Sequence, residues 1–182
     1  MAHGPSKGED PASEMEVRTD DAAREKVLEI ARTARIAMMA TYDAEGTAHA
    51  RPMAQIDHDP VRDGGDLWFL TDDGSRKIDE IEADPRVLLT YGDEKRNDWL
   101  SIEGRAEVVR DRSKIEELWS EPMRTWFPDG PDGGNIAAIR VDPETAEYWD
   151  SPSGAVLFAY GYLKARLTGE PPEAGEVAQV RM

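Results

Sequence analysis

The hydrophobic positions of the chain form one helical pattern, followed by several runs that are typical of β-strands. After Asp20, apolar residues recur with the three- and four-residue spacing of an amphipathic helix: Ala23, Val27, Ile30, Ala31 and Ala34. Thr19 or Asp20 offers a side-chain oxygen that can cap the first turn. The sequence therefore predicts a helix that begins near Asp20 and buries one apolar face.

The next apolar runs predict a β-hairpin. Residues 36–42 and 47–57 are strand-like, and residues 43–46 between them, Asp-Ala-Glu-Gly, are typical of a turn. Strand alternation divides the second strand into two faces. One face carries Ala48, Ala50, Ala54 and Ile56, and the other carries His49, Arg51, Met53 and Gln55.

The rest of the folded region predicts strands and short helices in alternation. A strand at 67–70 leads through the turn Asp72-Asp73-Gly74 to a short helix that is capped by Ser75 and ends near Pro85. Gly104 predicts a bulge within a long strand. The further strands are expected at 86–91, 99–110, 136–149 and 155–168, with a helix at 113–119 and a Pro- and Gly-rich loop at 126–134. About six strands, mostly joined as hairpins, favour a mainly β fold with short helices (α+β) that closes as an antiparallel barrel.

The two ends of the chain differ in composition from its middle. Residues 1–19 are polar and rich in Gly, Pro, Ser and Glu, which predicts a disordered tail. Residues 169–182 are rich in Pro, Glu and Gly and are expected to form a flexible tail. One folded domain is thus expected over residues 20–168.

Charge and composition narrow the function classes. The chain of 182 residues has 38 acidic and 22 basic residues and a formal charge of −16, which argues against binding nucleic acid. The acidity would also suit a high-salt environment. The absence of cysteine excludes disulfides, thiolate nucleophiles and cysteine metal sites. With neither a signal-peptide core nor an apolar stretch of about 20 residues, the chain is expected to be cytoplasmic and to have no membrane partner.

No familiar catalytic motif is present, so no catalytic residue is assigned from the sequence. The three histidines, His3, His49 and His58, are scattered along the chain, and no metal site is expected. His49 is expected to be exposed or to lie at the edge of a ligand site rather than to act as a general base.

The short helix after Ser75 carries its charges in an unusual order. Arg76 and Lys77 lie in its first turn and Glu82 and Asp84 at its end, although each such charge is disfavoured by about 0.3–1 kcal/mol. Two interpretations are open: solvated surface charges, or an anion site. Free N–H groups, the Ser75 hydroxyl and two adjacent cations are the groups that bind a phosphate.

Four motifs occur in order along the chain: ARPM at 50–53, LWFLTDDGSRK at 67–77, WFPDG at 126–130 and AEYWDSP at 146–152. Together they resemble the pyridoxamine 5′-phosphate oxidase-like flavoproteins, most closely the general stress protein branch, over roughly residues 20–170. The resemblance implies a six-stranded split β-barrel that forms a homodimer and binds FMN at the subunit interface.

The resemblance also implies which residues bind the cofactor. Arg51, Pro52 and Met53 match the strand beside the flavin, and Phe69, Leu70 and Thr71 match the strand end that meets its ring or ribityl chain. Ser75, Arg76 and Lys77 match the phosphate clamp, and Trp149 matches a tryptophan that reaches the flavin of the other subunit. Trp126 and Phe127 belong to a loop that would cover the cofactor, with core or dimer packing as the alternative.

The sequence departs from the family pattern after the tryptophan motif. True pyridoxamine phosphate oxidases carry an R-x-H-D-R segment there, whereas residues 153–159 are SGAVLFA. Oxidation of vitamin B6 phosphates is therefore not expected. The leading hypothesis is an FMN-dependent oxidoreductase, and the alternatives are a non-enzymatic flavin-binding or flavin-buffering protein and a deazaflavin-dependent reductase.

Overall fold

The computed structural model of the chain describes residues 17–57, 64–150 and 176–182. Three helices are present: α1 (Asp21–Ala34), α2 (Arg76–Ala83) and α3 (Arg112–Leu118). The strands are β1 (Val17–Arg18), β2 (Ile36–Tyr42), β3 (Ala48–Ala54), β4 (Leu67–Asp72), β5 (Arg86–Asp93), β6 (Asp98–Val109), β7 (Ile136–Asp150) and β8 (Glu176–Arg181). Two short 3₁₀ helices, Glu121–Thr125 and Pro131–Gly133, lie between α3 and β7.

Helix α1 forms as its sequence predicts. The Asp20 side chain accepts a hydrogen bond from the Ala23 N–H at 3.0 Å, which caps the first turn. Ala23, Val27 and Ile30 are buried against the sheet. The helix ends at Arg35, which adopts a left-handed backbone conformation (φ 64°) and donates its N–H to the Ala31 carbonyl.

The sheet is mostly antiparallel, with the strand order β1-β8-β7-β6-β5-β2-β3 and with β4 paired to β7. The predicted bulge is present where the β6–β7 register shifts between Glu103 and Gly104. A Cβ atom at Gly104 would lie 2.4 Å from the Asp142 carbonyl oxygen. Glycine is therefore required by close approach of the two backbones.

The prediction of a mainly β fold with short helices is confirmed, but the six-stranded closed barrel is not. Over the described residues the sheet has eight strands and does not close. β3 and β4 meet only where Gln55 bridges to Phe69 and where the Ile56 N–H donates to the Trp68 carbonyl at 2.8 Å. The strand expected at 155–168 lies outside the described residues.

The structure corrects the expected tails where they are described. The flexible tail predicted at 169–182 contains β8, which pairs antiparallel with β7. Ala178 and Val180 alternate toward the core and are buried, so tertiary pairing overrides the polar composition of this end. Val17 and Arg18, placed by sequence in the N-terminal tail, form β1 beside β8.

β4 lies between two hydrophobic clusters, which explains its unbroken apolar sequence. Leu67 and Phe69 belong to the main core with α1 and α2, and Trp68 and Leu70 belong to a second cluster. The other buried residues of the second cluster are Ile56, Ile115, Leu118 and Ala138. The strand end that leads to α2 is thus held from both sides.

The face of the sheet that points away from the main core exposes several large apolar side chains, and we call it the outer sheet face. These side chains are Ile36, Met38, Trp99, Trp149 and Val177. Strand register places Trp99 opposite Trp149, and Trp149 opposite Val177. No helix in the described ranges has the length and apolar character needed to cross a membrane.

Candidate functional site

The corner between β4 and α2 carries the candidate site. The Asp72 side chain accepts hydrogen bonds from the Gly74 N–H (2.7 Å) and from the Asn135 side-chain amide (2.8 Å), and these contacts shape the turn. Ser75 is the N-cap residue, as predicted, but its hydroxyl makes no capping bond. The Ile78 N–H already donates to the Ser75 carbonyl at 2.9 Å. The Ser75 hydroxyl and the N–H groups of Arg76 and Lys77, which precede any intrahelical acceptor, can serve a ligand. The corner has the donor arrangement of an anion site.

Arg110, directly after β6, fastens α2 at both ends. Its guanidinium contacts Asp73 through Nε and Nη2, both at 2.8 Å, and Glu82 through Nη1 at 2.8 Å. Hydrogen bonds to Asp73 and then to Glu82 raise the pKa of Arg110. Because Asp73 precedes α2 and Glu82 lies in its last turn, Arg110 contacts both ends of the helix, in addition to the burial of Ile78 and Ile81 in the core.

Lys77 is the best-placed cation of the corner. Its Nζ donates to the Thr71 hydroxyl at 2.8 Å and to the Ser75 hydroxyl at 3.0 Å. Partial burial, and then the nearby Arg51 guanidinium, lower the pKa of Lys77. Within the described parts of the chain, no carboxylate forms an ion pair with Lys77. A partly buried ammonium without a carboxylate partner favours an external anion.

Arg51, on β3, reaches the same region from the sheet. Its Nη1 donates to the Thr41 hydroxyl (2.6 Å) and to the Met39 carbonyl (3.3 Å), and its Nη2 donates to Glu80 Oε2 (2.9 Å). The Thr41 hydroxyl in turn donates to the same Glu80 oxygen. Three acceptors therefore hold the Arg51 guanidinium in one orientation.

Glu80 is a buried carboxylate in the middle of this network. Burial alone would raise the pKa of Glu80, but hydrogen bonds from Thr41 and Arg51, with the charges of Arg51 and Arg76, hold it below the ordinary value. Oε1 lies 2.7 Å from Arg76 Nε, yet no described donor is directed at it as a hydrogen bond. Glu80 is thus ionised and only partly satisfied.

Arg76 contacts acidic groups of its own chain as well as the corner. Besides Glu80, its Nη2 lies 3.5 Å from Asp43 Oδ2 and contacts His49 Nε2. His49 Nε2 lies 2.9 Å from the same Asp43 oxygen. Since Glu80 follows Arg76 by four residues on the helix, it compensates the charge of Arg76 locally. Lys77 forms no such pair with any described carboxylate, and the charges of Asp72 and Glu80 act on it less than burial and Arg51 do.

The structure divides the other predicted residues among three places. The side chains of Met53, Phe69 and Leu70 are buried in the hydrophobic clusters, and Phe69 is completely inaccessible. Pro52 is exposed on β3 and Trp149 lies on the outer sheet face. At Phe69 a ligand could meet only the backbone of the strand.

The loop with Trp126 and Phe127 lies beside the same turn. Trp126 is 70% exposed and, with Asp72 and Asn135, lines a cleft of about 130 Å³. Phe127 packs against Trp119, with ring centroids 6.3 Å apart, in the second hydrophobic cluster. The packing interpretation fits Phe127, whereas Trp126 remains available to a ligand.

Sequence reasoning missed Thr41 and Glu80. Thr41 lies on β2 in an apolar run, where no local pattern distinguishes it. Glu80 carries a signal, because it stands between the buried Ile78 and Ile81 on the core-facing side of a short amphipathic helix. An acid at such a position predicts a buried basic partner.

The donor set fits a phosphate monoester. Lys77 Nζ, the Thr71 and Ser75 hydroxyls, the first-turn N–H groups and two neighbouring guanidinium groups are donors that a dianion requires. The residues present therefore fit the FMN phosphate. In residues 17–57, 64–150 and 176–182, no group of three or more His, Asp or Glu is arranged to bind a metal ion.

Comparison with known proteins identifies the family of the chain. The sequence profile of the family described as pyridoxamine 5′-phosphate oxidase like matches residues 22–173. The chain belongs to this family, which confirms the resemblance found in the sequence.

Individual relatives support this assignment. The chain is 25% identical over 188 residues to the protein bli-3 of Neurospora crassa, covering 96% of this chain and 88% of that protein. It is similar to the structure of a candidate general stress protein 26 from Jannaschia sp. CCS1 (25% identity, TM-score 0.74), covering 88% of this chain and 99% of that one. It is also similar to the general stress FMN/FAD binding protein of Xanthomonas citri (26% identity, TM-score 0.63), covering 74% and 93% of the two chains.

Proposed function

We propose that this protein binds FMN at the β4–α2 corner and uses it as a redox cofactor. The observation that carries the proposal is Lys77, a partly buried cation directed at the Thr71 and Ser75 hydroxyls at a helix N-terminus. The resemblance to a protein described as FMN/FAD binding supports a flavin phosphate as the anion. Lys77, Ser75 and Thr71 would hold the phosphate, and Arg51 would supply a second, fixed positive charge.

The bound flavin would supply hydride and electron transfer. The side chains of the corner would bind and orient the cofactor, because they are cations and hydroxyls that can donate to an anion. Neither a nucleophile nor a general base stands out among them. The chemistry therefore resides in the cofactor, and the redox substrate is set by what can reach the flavin ring.

We also propose that the protein is a homodimer in which the outer sheet face is the contact between subunits. An apolar strip lies on the surface of a chain whose formal charge is −16, and it consists of Ile36, Met38, Trp99, Trp149 and Val177. Contiguous apolar surface of this kind is typical of protein interfaces. A second copy suits it because the strip is uncharged and would face its own equivalent in a two-fold dimer. The FMN site at the interface would then receive Trp149 from the partner.

Pyridoxamine 5′-phosphate is not the proposed substrate. Residues 153–159, SGAVLFA, contain no arginine or histidine to hold a second phosphate group. Membership of the family does not transfer the reaction of its founding enzyme.

The test begins with the absorption spectrum of the purified protein and identification of any flavin released by denaturation. We expect FMN, or strong binding of added FMN to flavin-depleted protein, with weaker binding of riboflavin and of a deazaflavin. Failure to bind FMN would refute the proposal. Oxidation of NADH or NADPH with a quinone acceptor, measured against an equal concentration of free FMN, then separates an enzyme from a flavin-buffering protein. Activity no higher than that of free FMN would support buffering.

A further inference from the structure

Arg76 stands between the candidate phosphate position and two carboxylates. It is the first residue of α2, next to Lys77, so its side chain starts at the rim of the anion site. Its guanidinium nevertheless lies 2.7 Å from Glu80 Oε1 and 3.5 Å from Asp43 Oδ2. The Arg76 side chain is 62% exposed, so water surrounds much of it and rotation is not blocked.

The two carboxylates are themselves fixed. Asp43 Oδ1 accepts the Thr47 N–H (2.7 Å) and the Glu45 N–H (3.1 Å), which leaves Oδ2 directed toward His49 and Arg76. Glu80 is held by Thr41 and Arg51 and is almost fully buried. Both carboxylates are therefore held beside Arg76 by other groups of the protein.

We propose that Asp43 and Glu80 compete with the FMN phosphate for Arg76 and so lower the affinity of the site for FMN. The inference rests on the proposed function and assigns two further residues to the control of that site. Lys77 and Arg51 would supply the permanent positive charge of the site. The contribution of Arg76 to phosphate binding would depend on how strongly Asp43 and Glu80 hold its guanidinium. A site of this kind keeps cofactor binding reversible.

Asp43→Asn is the cleanest test of the competition. Asparagine keeps the side-chain oxygen that accepts the Thr47 and Glu45 N–H groups, and it replaces the oxygen near Arg76 with an amide group that repels it. Because an exposed ion pair is weak, we expect FMN to bind about two- to fivefold more tightly. Riboflavin affinity should not change, since riboflavin has no phosphate. Tryptophan fluorescence titration measures both affinities.

Two further variants control for simpler effects. Glu94→Gln removes one negative charge from the exposed turn between β5 and β6, away from the corner, and it should leave the ratio of FMN to riboflavin affinity unchanged. Asp43→Asn in an Arg76→Ala background should have no effect on that ratio, because the Arg76 side chain, for which Asp43 and the phosphate compete, is absent. Glu80→Gln is not used as a test, because Glu80 also accepts from Arg51 and its loss would alter a second cation of the site.

Three results would overturn the inference. They are weaker FMN binding by Asp43→Asn, an equal change in FMN and riboflavin affinity, and a gain that persists without Arg76. Wild-type protein that binds neither flavin would refute the proposed function itself, and the inference with it. Wild-type protein that binds FMN, with an unchanged affinity ratio in Asp43→Asn, would refute the inference alone.

Discussion

Replacing Lys77 with methionine tests the phosphate site directly. Methionine keeps most of the unbranched side chain and removes the charge. The Thr71 and Ser75 hydroxyls, which accept from Lys77, lie 3.4 Å apart and can bond to each other after the substitution. The fold should therefore tolerate the change, with a free energy of unfolding within about 1 kcal/mol of wild type.

The expected loss of FMN affinity follows from the contacts of the ammonium group. A hydrogen bond to a charged group contributes about 1.5–3 kcal/mol, which corresponds to about a 10- to 150-fold weaker Kd for FMN. Riboflavin affinity should change by less than about threefold, because only FMN carries the phosphate. Calorimetric titration of flavin-depleted protein with each ligand provides both constants.

Lys95→Met is a matched control, because Lys95 lies on the exposed turn between β5 and β6. It removes the same charge without touching the corner, and we expect both flavin affinities to match those of wild type. Equal losses of FMN and riboflavin affinity in Lys77→Met, or no loss in either, would refute the assignment of Lys77 to a phosphate.

The lowered pKa of Lys77 gives the same variant a pH signature. The folded protein holds the Lys77 proton less firmly than the unfolded chain, in which the pKa is the ordinary 10.5. Between the lowered pKa and 10.5 the unfolded state binds more protons, so stability rises with pH. The free energy of unfolding of flavin-depleted wild type, minus that of Lys77→Met, should increase as the pH approaches 10.5. A difference that stays constant or falls would contradict the burial of Lys77.

Three other predictions concern the scaffold. Trp149→Glu should weaken the proposed dimer about 30- to 1000-fold, since truncated interface tryptophans cost about 2–4 kcal/mol; sedimentation showing an unchanged dimer would exclude Trp149 from the contact. Gly104→Ala should lower the free energy of unfolding by about 2 kcal/mol or more, because its Cβ would meet the Asp142 carbonyl oxygen; a wild-type denaturation midpoint would contradict the close approach. Val180→Ala should lower stability by roughly 1–3 kcal/mol, as β8 is part of the core; no change in thermal denaturation would restore the flexible-tail prediction.

The features that sequence predicted well are those with local causes. Helix α1 has an N-cap and a repeated apolar spacing, and the turn before α2 has Asp, Gly and Ser at positions where those residues act on their immediate neighbours. Gly104 predicted the bulge because glycine is otherwise unfavourable within a strand. Such signals need no knowledge of the rest of the fold.

The features that sequence could not predict depend on distant partners. Alternation on β3 separated Arg51 and Met53 from the alanines, but only pairing shows that the side with Met53 faces the core. Strand β8 forms because its backbone pairs with the edge of β7. The role of Glu80 requires Arg51, which lies 29 residues away in the sequence. Local propensity contains none of this information.

The contacts of Arg110 with both ends of α2 have a consequence for how this protein can evolve. A helix of eight residues is too short to persist alone in water, so its place depends on tertiary contacts. Arg110 adds to core burial of the helix by contacting both of its ends. Without Asp73 or Glu82, Arg110 would contact only one end of the helix. Among related sequences, these two acids and Arg110 should therefore change together, while the exposed positions of α2 drift independently.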